Sequence, residues 1–123
     1  PYPNVEMQTK LDLSKVYMEQ EKYDEAEFIL KQALKEAEEV YGSDHESVSI
    51  YLVSLGSLYY DLGKYAESEP YVLRALERLE KKYGPTNPRV VASLEKTVRF
   101  YKDMGREDKA KEIEERLKKI RAK

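Results

Sequence analysis

The 123-residue sequence has no cysteine, no tryptophan and a single histidine. Without thiols there can be no disulfide and no thiolate nucleophile or metal ligand. That absence leans toward a reducing compartment, so a cytoplasmic location is expected. His45, in the loop YGSDHES, stands alone. Metal centres and acid–base sites need several convergent groups, so it reads as a loop residue beside a helix start. No charge of one sign dominates: 22 Lys and Arg face 24 Asp and Glu, for a net charge of −2. Nothing in that balance marks a nucleic-acid binder. A long apolar run is also missing. The longest uncharged stretch, SVSIYLVSLGSLYY from Ser47 to Tyr60, falls short of the ~20 residues a membrane span needs and carries several serines. The opening PYPNVEMQTK lacks the apolar centre of a signal peptide. There is no glycine-rich phosphate loop. Gly42, Gly63, Gly84 and Gly105 recur at an even interval and read as helix terminators. Acidic residues are abundant, but Lys and Arg follow them at helical spacing, as in Glu77–Lys81 and Glu112–Arg116. That pattern is a solvated helix face, not an isolated carboxylate pair. These absences point away from an enzyme, and no metal or cofactor is expected.

A repeat is what the chain does have. YMEQEKYDEAEF (17–28), YYDLGKYAESEP (59–70) and YKDMGREDKAKE (101–112) start 42 residues apart. Tyr17, Tyr59 and Tyr101 share a phase, as do Leu13, Leu55 and Thr97, and Ala26, Ser68 and Ala110. Fixed-period self-similarity of this length indicates a solenoid. Two full copies are read at about 9–50 and 51–92, with a shorter one at 93–123, in one domain over 1–123. Ile50, Val53, Leu55, Leu58, Tyr59 and Leu62 follow helical spacing up to Gly63. Tyr71, Val72, Ala75, Leu76 and Leu79 continue a second helix to Tyr83, and Gly84-Pro85 ends it. The spacing predicts helices near 4–20, 24–41, 46–62, 66–83, 88–104 and 107–121, and no strand.

One helical hairpin cannot bury its apolar face alone, so three are expected to stack. The middle first-type helix is nearly charge-free, as a helix with neighbours on both sides should be. The last helix, 107–121, keeps only Ala110, Ile113, Leu117 and Ile120 as an apolar stripe and is expected to cap the array. The N-terminal PYPNVEM resembles the loop-to-helix join GPTNPRVV and offers no comparable cap. Gly56 is expected where two helices approach closely. Glu21, in the phase of Gly63 and Gly105, is expected to adopt their left-handed backbone.

Leu55, Gly56, Tyr59, Ser68 and Ala75 resemble the signature of the tetratricopeptide repeat. The family's period is ~34 residues; this one is longer by roughly one turn per helix. GKYAESEPYVLRALERLEKKYG and NPRVVAS resemble the kinesin light chain type. The resemblance implies an all-α, right-handed α-solenoid of three helical hairpins (six helices). Its concave face, lined by the first helix of each pair, would bind a protein or peptide segment, with no nucleic acid and no membrane involved. Light-chain relatives carry paired asparagines in that groove, where this chain has Leu11-Asp12, Val53-Ser54 and Glu95-Lys96. Chaperone-binding relatives hold a terminal carboxylate with polar or basic groups, where this chain has Leu11, Ser54 and Ala92.

On that reading the groove is a set of ladders: Lys15, Ser57, Arg99; Asp12, Ser54, Lys96; Leu11, Val53, Glu95; Met18, Tyr60, Lys102. Glu19, Asp61 and Asp103 form an acidic row at the helix ends. The candidate peptide-binding residues are Leu11, Lys15, Val53, Ser54, Ser57, Tyr60, Lys96 and Arg99. Two rival readings stand beside this one. The chain could be a designed or excised scaffold without a ligand, or a module that self-associates weakly through its uncapped N-terminal face.

Overall fold

The computed structural model describes residues 3–122, with side chains from residue 6 onward. Pro1 and Tyr2, part of the stretch compared above with GPTNPRVV, lie outside the described residues. Six helices follow in order: α1 (Pro3–Glu19), α2 (Tyr23–Tyr41), α3 (Glu46–Asp61), α4 (Tyr65–Tyr83), α5 (Pro88–Asp103) and α6 (Glu107–Arg121). Among the described residues there is no strand. Every predicted helix is present, with each boundary within one residue of its expected place. The fold class is an all-α repeat solenoid.

The chain divides into two compact units, residues 1–71 and 72–123, with the division inside α4. In the first unit α2 packs on both α1 and α3. Its buried stripe is Ala26, Leu30, Ala33, Leu34 and Ala37. Helix α3 buries Val48, Tyr51, Leu52, Leu55, Leu58 and Tyr59, which is why it tolerates so few charges. Gly56 lies in this core. Its carbonyl accepts a buried hydrogen bond from Ser68 Oγ at 2.7 Å. The Ser68 hydroxyl therefore has a partner, and a polar group can replace the alanine of the other copies without an unpaired donor.

In the second unit α5 packs on α6. Leu76, Val90, Leu94 and Leu117 form the core, with Leu79, Val91, Val98, Ile113 and Ile120 packed against it. Helix α6 buries only Ala110 and Leu117 outright. Arg116 does not pair with Glu112 as its spacing suggested. Its Nη2 lies 2.6 Å from Glu80 Oε1, while Glu112 lies 3.9 Å from Lys109. The long guanidinium arm reaches the neighbouring helix, where the acceptor is better placed than one on its own.

The turns within the hairpins are built alike. Lys22 N–H donates to the Tyr17 carbonyl at 2.7 Å, Lys64 to Tyr59 at 2.8 Å and Arg106 to Tyr101 at 2.8 Å. Each is paired with a shorter-range bond, from Glu21 to Met18, Gly63 to Tyr60 and Gly105 to Lys102. This double closure requires one residue with positive φ after the helix. Gly63 and Gly105 supply it at 73° and 82°, and Glu21 supplies it at 60° as the one positive-φ residue other than glycine among those described.

The starts of α3 and α5 match as well. Asn87 Oδ1 accepts from Arg89 N–H at 2.9 Å. His45, 42 residues earlier, accepts from Ser47 N–H through Nδ1 at 3.1 Å. His45 is thus the N-cap of α3, with its ring stacked on Tyr41 at 4.6 Å. That role needs a ring nitrogen with a free lone pair at the helix start.

Candidate peptide-binding faces

The candidate residues fall on three helices in the two units. Leu11 and Lys15 lie on α1, Val53, Ser54, Ser57 and Tyr60 on α3, and Lys96 and Arg99 on α5. Within the first unit, Lys15, Val53 and Ser57 are exposed, while Leu11, Ser54 and Tyr60 are half-buried. Val53 stands out because 56% of an apolar side chain faces solvent on the most apolar helix of the chain. Ser54 turns its hydroxyl inward and donates to the Ile50 carbonyl at 2.9 Å, which leaves its oxygen able to accept. Tyr60 rests edge-on against Tyr65, with ring centroids 5.5 Å apart.

In the second unit Lys96 and Arg99 are exposed and one helical turn apart. Their neighbours in the ladders are already engaged. Glu95 accepts from Arg121 at 2.8 Å, and Lys102 lies 3.4 Å from Glu114. Among the described residues, Lys96 and Arg99 have no ion-pair partner. The acidic row of Glu19, Asp61 and Asp103 is exposed at all three positions.

Two polar clusters in the first unit were not anticipated. Lys10 Nζ sits between Glu36, at 2.6 Å, and Glu6, at 3.2 Å. Burial opposes the ammonium charge, but hydrogen bonds to Glu36 and Glu6 outweigh it and raise the Lys10 pKa. The same ammonium holds the Glu36 carboxyl below its ordinary value. On the other side of α2, Lys31 and Glu27 lie 2.9 Å apart, with the Lys31 ammonium 5.8 Å from the centroid of the Tyr59 ring. Lys31, then Tyr59, lower the Glu27 pKa. Desolvation raises that of Tyr59. Glu6–Lys10 and Glu27–Lys31 are i,i+4 pairs on one helix; the partners on neighbouring helices are 26 to 32 positions apart, which a reading by period alone does not connect. The His45 cap did have a signal, since Asn87 stands in its place one period on.

Among the described residues no group of three or more His, Asp or Glu could hold a metal ion. No helix among them is long and apolar enough to cross a membrane. The tetratricopeptide repeat model matches residues 6–69 and 49–123, which together take in almost the whole chain. The chain belongs to the tetratricopeptide repeat family. Repeats of this family generally mediate protein–protein interaction. Solved structures show the same fold. BtubC (BKLC) from P. vanneervenii has a TM-score of 0.77 at 23% identity over 98% of this chain and 47% of its own. A Podosopora anserina protein assigned as a kinesin light chain, with nearly identical TPR-like repeats, has a TM-score of 0.72 at 22% identity over 96% of this chain and 56% of its own. A variant of that protein scores 0.76 at 22% identity, over 100% of this chain and 57% of its own. The chain therefore spans about half the length of the solved structures it matches. No curated protein matches it.

Proposed function

We propose that this tetratricopeptide repeat chain is a non-catalytic module, one domain over 1–123, that binds a protein or peptide segment. The contact residues are Leu11, Lys15, Val53, Ser54, Ser57, Tyr60, Lys96 and Arg99. The observation that carries the reading is the exposed pair Lys96 and Arg99, which have no ion pair among the described residues while Glu95 and Lys102 beside them are engaged. Two cations one turn apart suit a carboxylate, from an acidic side chain or a chain end. Val53 and Tyr60, in the first unit, suit an apolar side chain of a ligand. The asparagine pairs of the light-chain type are absent, so the ligand's backbone is held less and its side chains more.

The test is selection of ligands from an unbiased peptide library, followed by calorimetry. Lys96→Glu with Arg99→Glu should weaken an acidic ligand sharply, because like charges then meet. The loss should shrink as salt rises, since exposed charges are screened over ~8 Å at physiological ionic strength. Tyr60→Ala should weaken binding with little salt dependence, because what is lost is buried area. If every selected ligand is indifferent to both changes, the reading fails.

A further inference from the structure

The second-type helices leave one phase exposed in every copy of the repeat. On α2 that phase holds Phe28, which is 61% exposed. Pro70 and Glu112, one and two periods on, are exposed as well. Exposure thus belongs to the phase itself, and the first copy alone places an aromatic ring in it.

A single ring in water is ordinary, but this one stands on an ordered face. Asp24 and Glu25 lie a turn before it, and Lys31, Gln32 and Lys35 lie one and two turns after it, all of them exposed. The face is therefore acidic before the ring and basic after it. Beside the ring is an open hollow of about 410 Å³, lined by Asp24, Glu27, Phe28, Lys31, Gln32 and Lys35. Asp24 and Lys35 have no ion-pair partner among the described residues. Lys31 is paired with Glu27 but remains 49% exposed, and an ammonium has three protons to donate.

A knob and a hollow on one face, with acid on one side of the knob and base on the other, are what a two-fold contact needs. A second α2 laid antiparallel, with both Phe28 rings at the axis, brings positions before the ring level with positions after it. Asp24 then stands within about 1.5 Å, along the helix axis, of the level of Lys31 in the other copy, and Glu25 of the level of Gln32. Asp24 and Lys31 share one side of the helix, as do Glu25 and Gln32 on the other, so each meets its complement. A parallel pairing sets Asp24 against Asp24 and Lys31 against Lys31, which repel. We propose that the Phe28 face of α2 is a homodimer surface, on which a second copy of this chain docks antiparallel, α2 on α2. None of the proposed ligand residues lies on α2. One helix on another buries less than the ~1,200 Å² of a stable interface, so the dimer is weak and forms at high protein concentration.

The experiment follows the molar mass of the full chain from micromolar to millimolar concentration by sedimentation equilibrium. The parent chain should pass from monomer toward dimer and no further, because a two-fold contact closes. Phe28→Glu should weaken the dimer by about tenfold or more, with circular dichroism confirming the fold. Two further variants test the charge pattern without touching the ring. Asp24→Lys with Glu25→Lys makes the face basic throughout, and Lys31→Glu with Lys35→Glu makes it acidic throughout. Each should stay monomeric alone, whereas an equimolar mixture should dimerise, and added salt should weaken the mixed dimer. Lys96→Glu with Arg99→Glu should leave the parent dimer unchanged, which separates this face from the proposed ligand residues. A parent chain that stays monomeric at millimolar concentration leaves the face to a different protein and overturns the proposal. So does a dimer that Phe28→Glu leaves intact, or assembly that grows beyond the dimer. Charge-reversed variants that dimerise alone as the parent does, or that fail to pair when mixed, overturn it as well.

Discussion

Helices α1 and α3 share their apolar phases and differ in their neighbours. Leu13, Val16 and Tyr17 stand where Leu55, Leu58 and Tyr59 stand one period later. All three are buried in α3, whereas in α1 the first two are exposed and the third is half-buried. The pattern of a helix states which side can be buried. Whether that side is buried depends on a neighbour elsewhere in the chain. The residues around the stripe record the same difference: α1 carries Lys10, Asp12 and Lys15, where α3 has Leu52, Ser54 and Ser57.

The sharpest way to break the comparison is to truncate one leucine in each helix. Leu55→Ala removes a fully buried side chain and leaves a cavity, so it should cost ~2–5 kcal/mol in denaturant unfolding. Leu13→Ala, at a position already in contact with water, should cost less than about 1 kcal/mol. Equal losses at the two positions would mean that Leu13 is covered in solution, and the contrast between α1 and α3 would collapse.

The hairpin turns sharpen the same comparison at the end of the helix. The turn after α1 closes with the hydrogen bonds of the turn after α3, yet places Glu21 at φ 60° where the latter has Gly63 at φ 73°. A side chain in the left-handed region is strained by roughly 1–2 kcal/mol. Glycine removes that strain but loses more chain entropy on folding, a cost of roughly 0.5–1 kcal/mol. Glu21→Gly should therefore stabilise by up to about 1 kcal/mol, and Gly63→Glu should destabilise. Nothing lies within 4 Å of a Cβ built on Gly63, so any loss there comes from backbone strain and not from a clash. A Glu21→Gly variant that melts lower would show that the two turns differ in more than this residue.

Much of this architecture could be read from the residues because period and phase are local properties. Tyr17, Tyr59 and Tyr101 fix the repeat, the glycines fix the turns, and the positive φ of Glu21 follows from its place in their series. What escaped the reading depends on partners in other helices. Ser68 looked like a departure from alanine, and its role appears only with the Gly56 carbonyl 2.7 Å away. Lys10 occupies the position of the buried Leu52 and is accommodated by Glu36 on α2. The candidate ligand face is legible only as exposure. Exposure at Val53, Lys96 and Arg99 is a property of each helix, but the chemistry of a ligand is not written in any of them.

The smallest effect concerns acid, and it tests how α2 is fastened to α3 compared with its other neighbour. On the α3 side Lys31, and after it Tyr59, hold the Glu27 carboxyl below its ordinary value of 4.5. A carboxyl whose folded pKa is lowered binds fewer protons in the native state than in the unfolded chain. Its contribution is fully present above the unfolded value near 4.5 and is lost as the pH falls from there through the lowered folded value. The Lys31 and Glu27 side chains are 49% and 27% exposed, so solvent screening limits the contribution to a few tenths of a kcal/mol. Lys31→Met removes the cation that lowers the pKa. Its stability should therefore fall less steeply with acid than that of the parent chain, by about those few tenths between neutral pH and pH ~3.5. Urea unfolding at both pH values measures the two slopes. High salt should shrink the difference, because the pair is exposed. Glu36 on the α1 side, lowered by Lys10, titrates in the same direction, so the slope that remains in the Lys31→Met variant includes its part. A slope unchanged by Lys31→Met would show that the Glu27–Lys31–Tyr59 contact does not persist in solution, and that apolar burial alone joins α2 to α3.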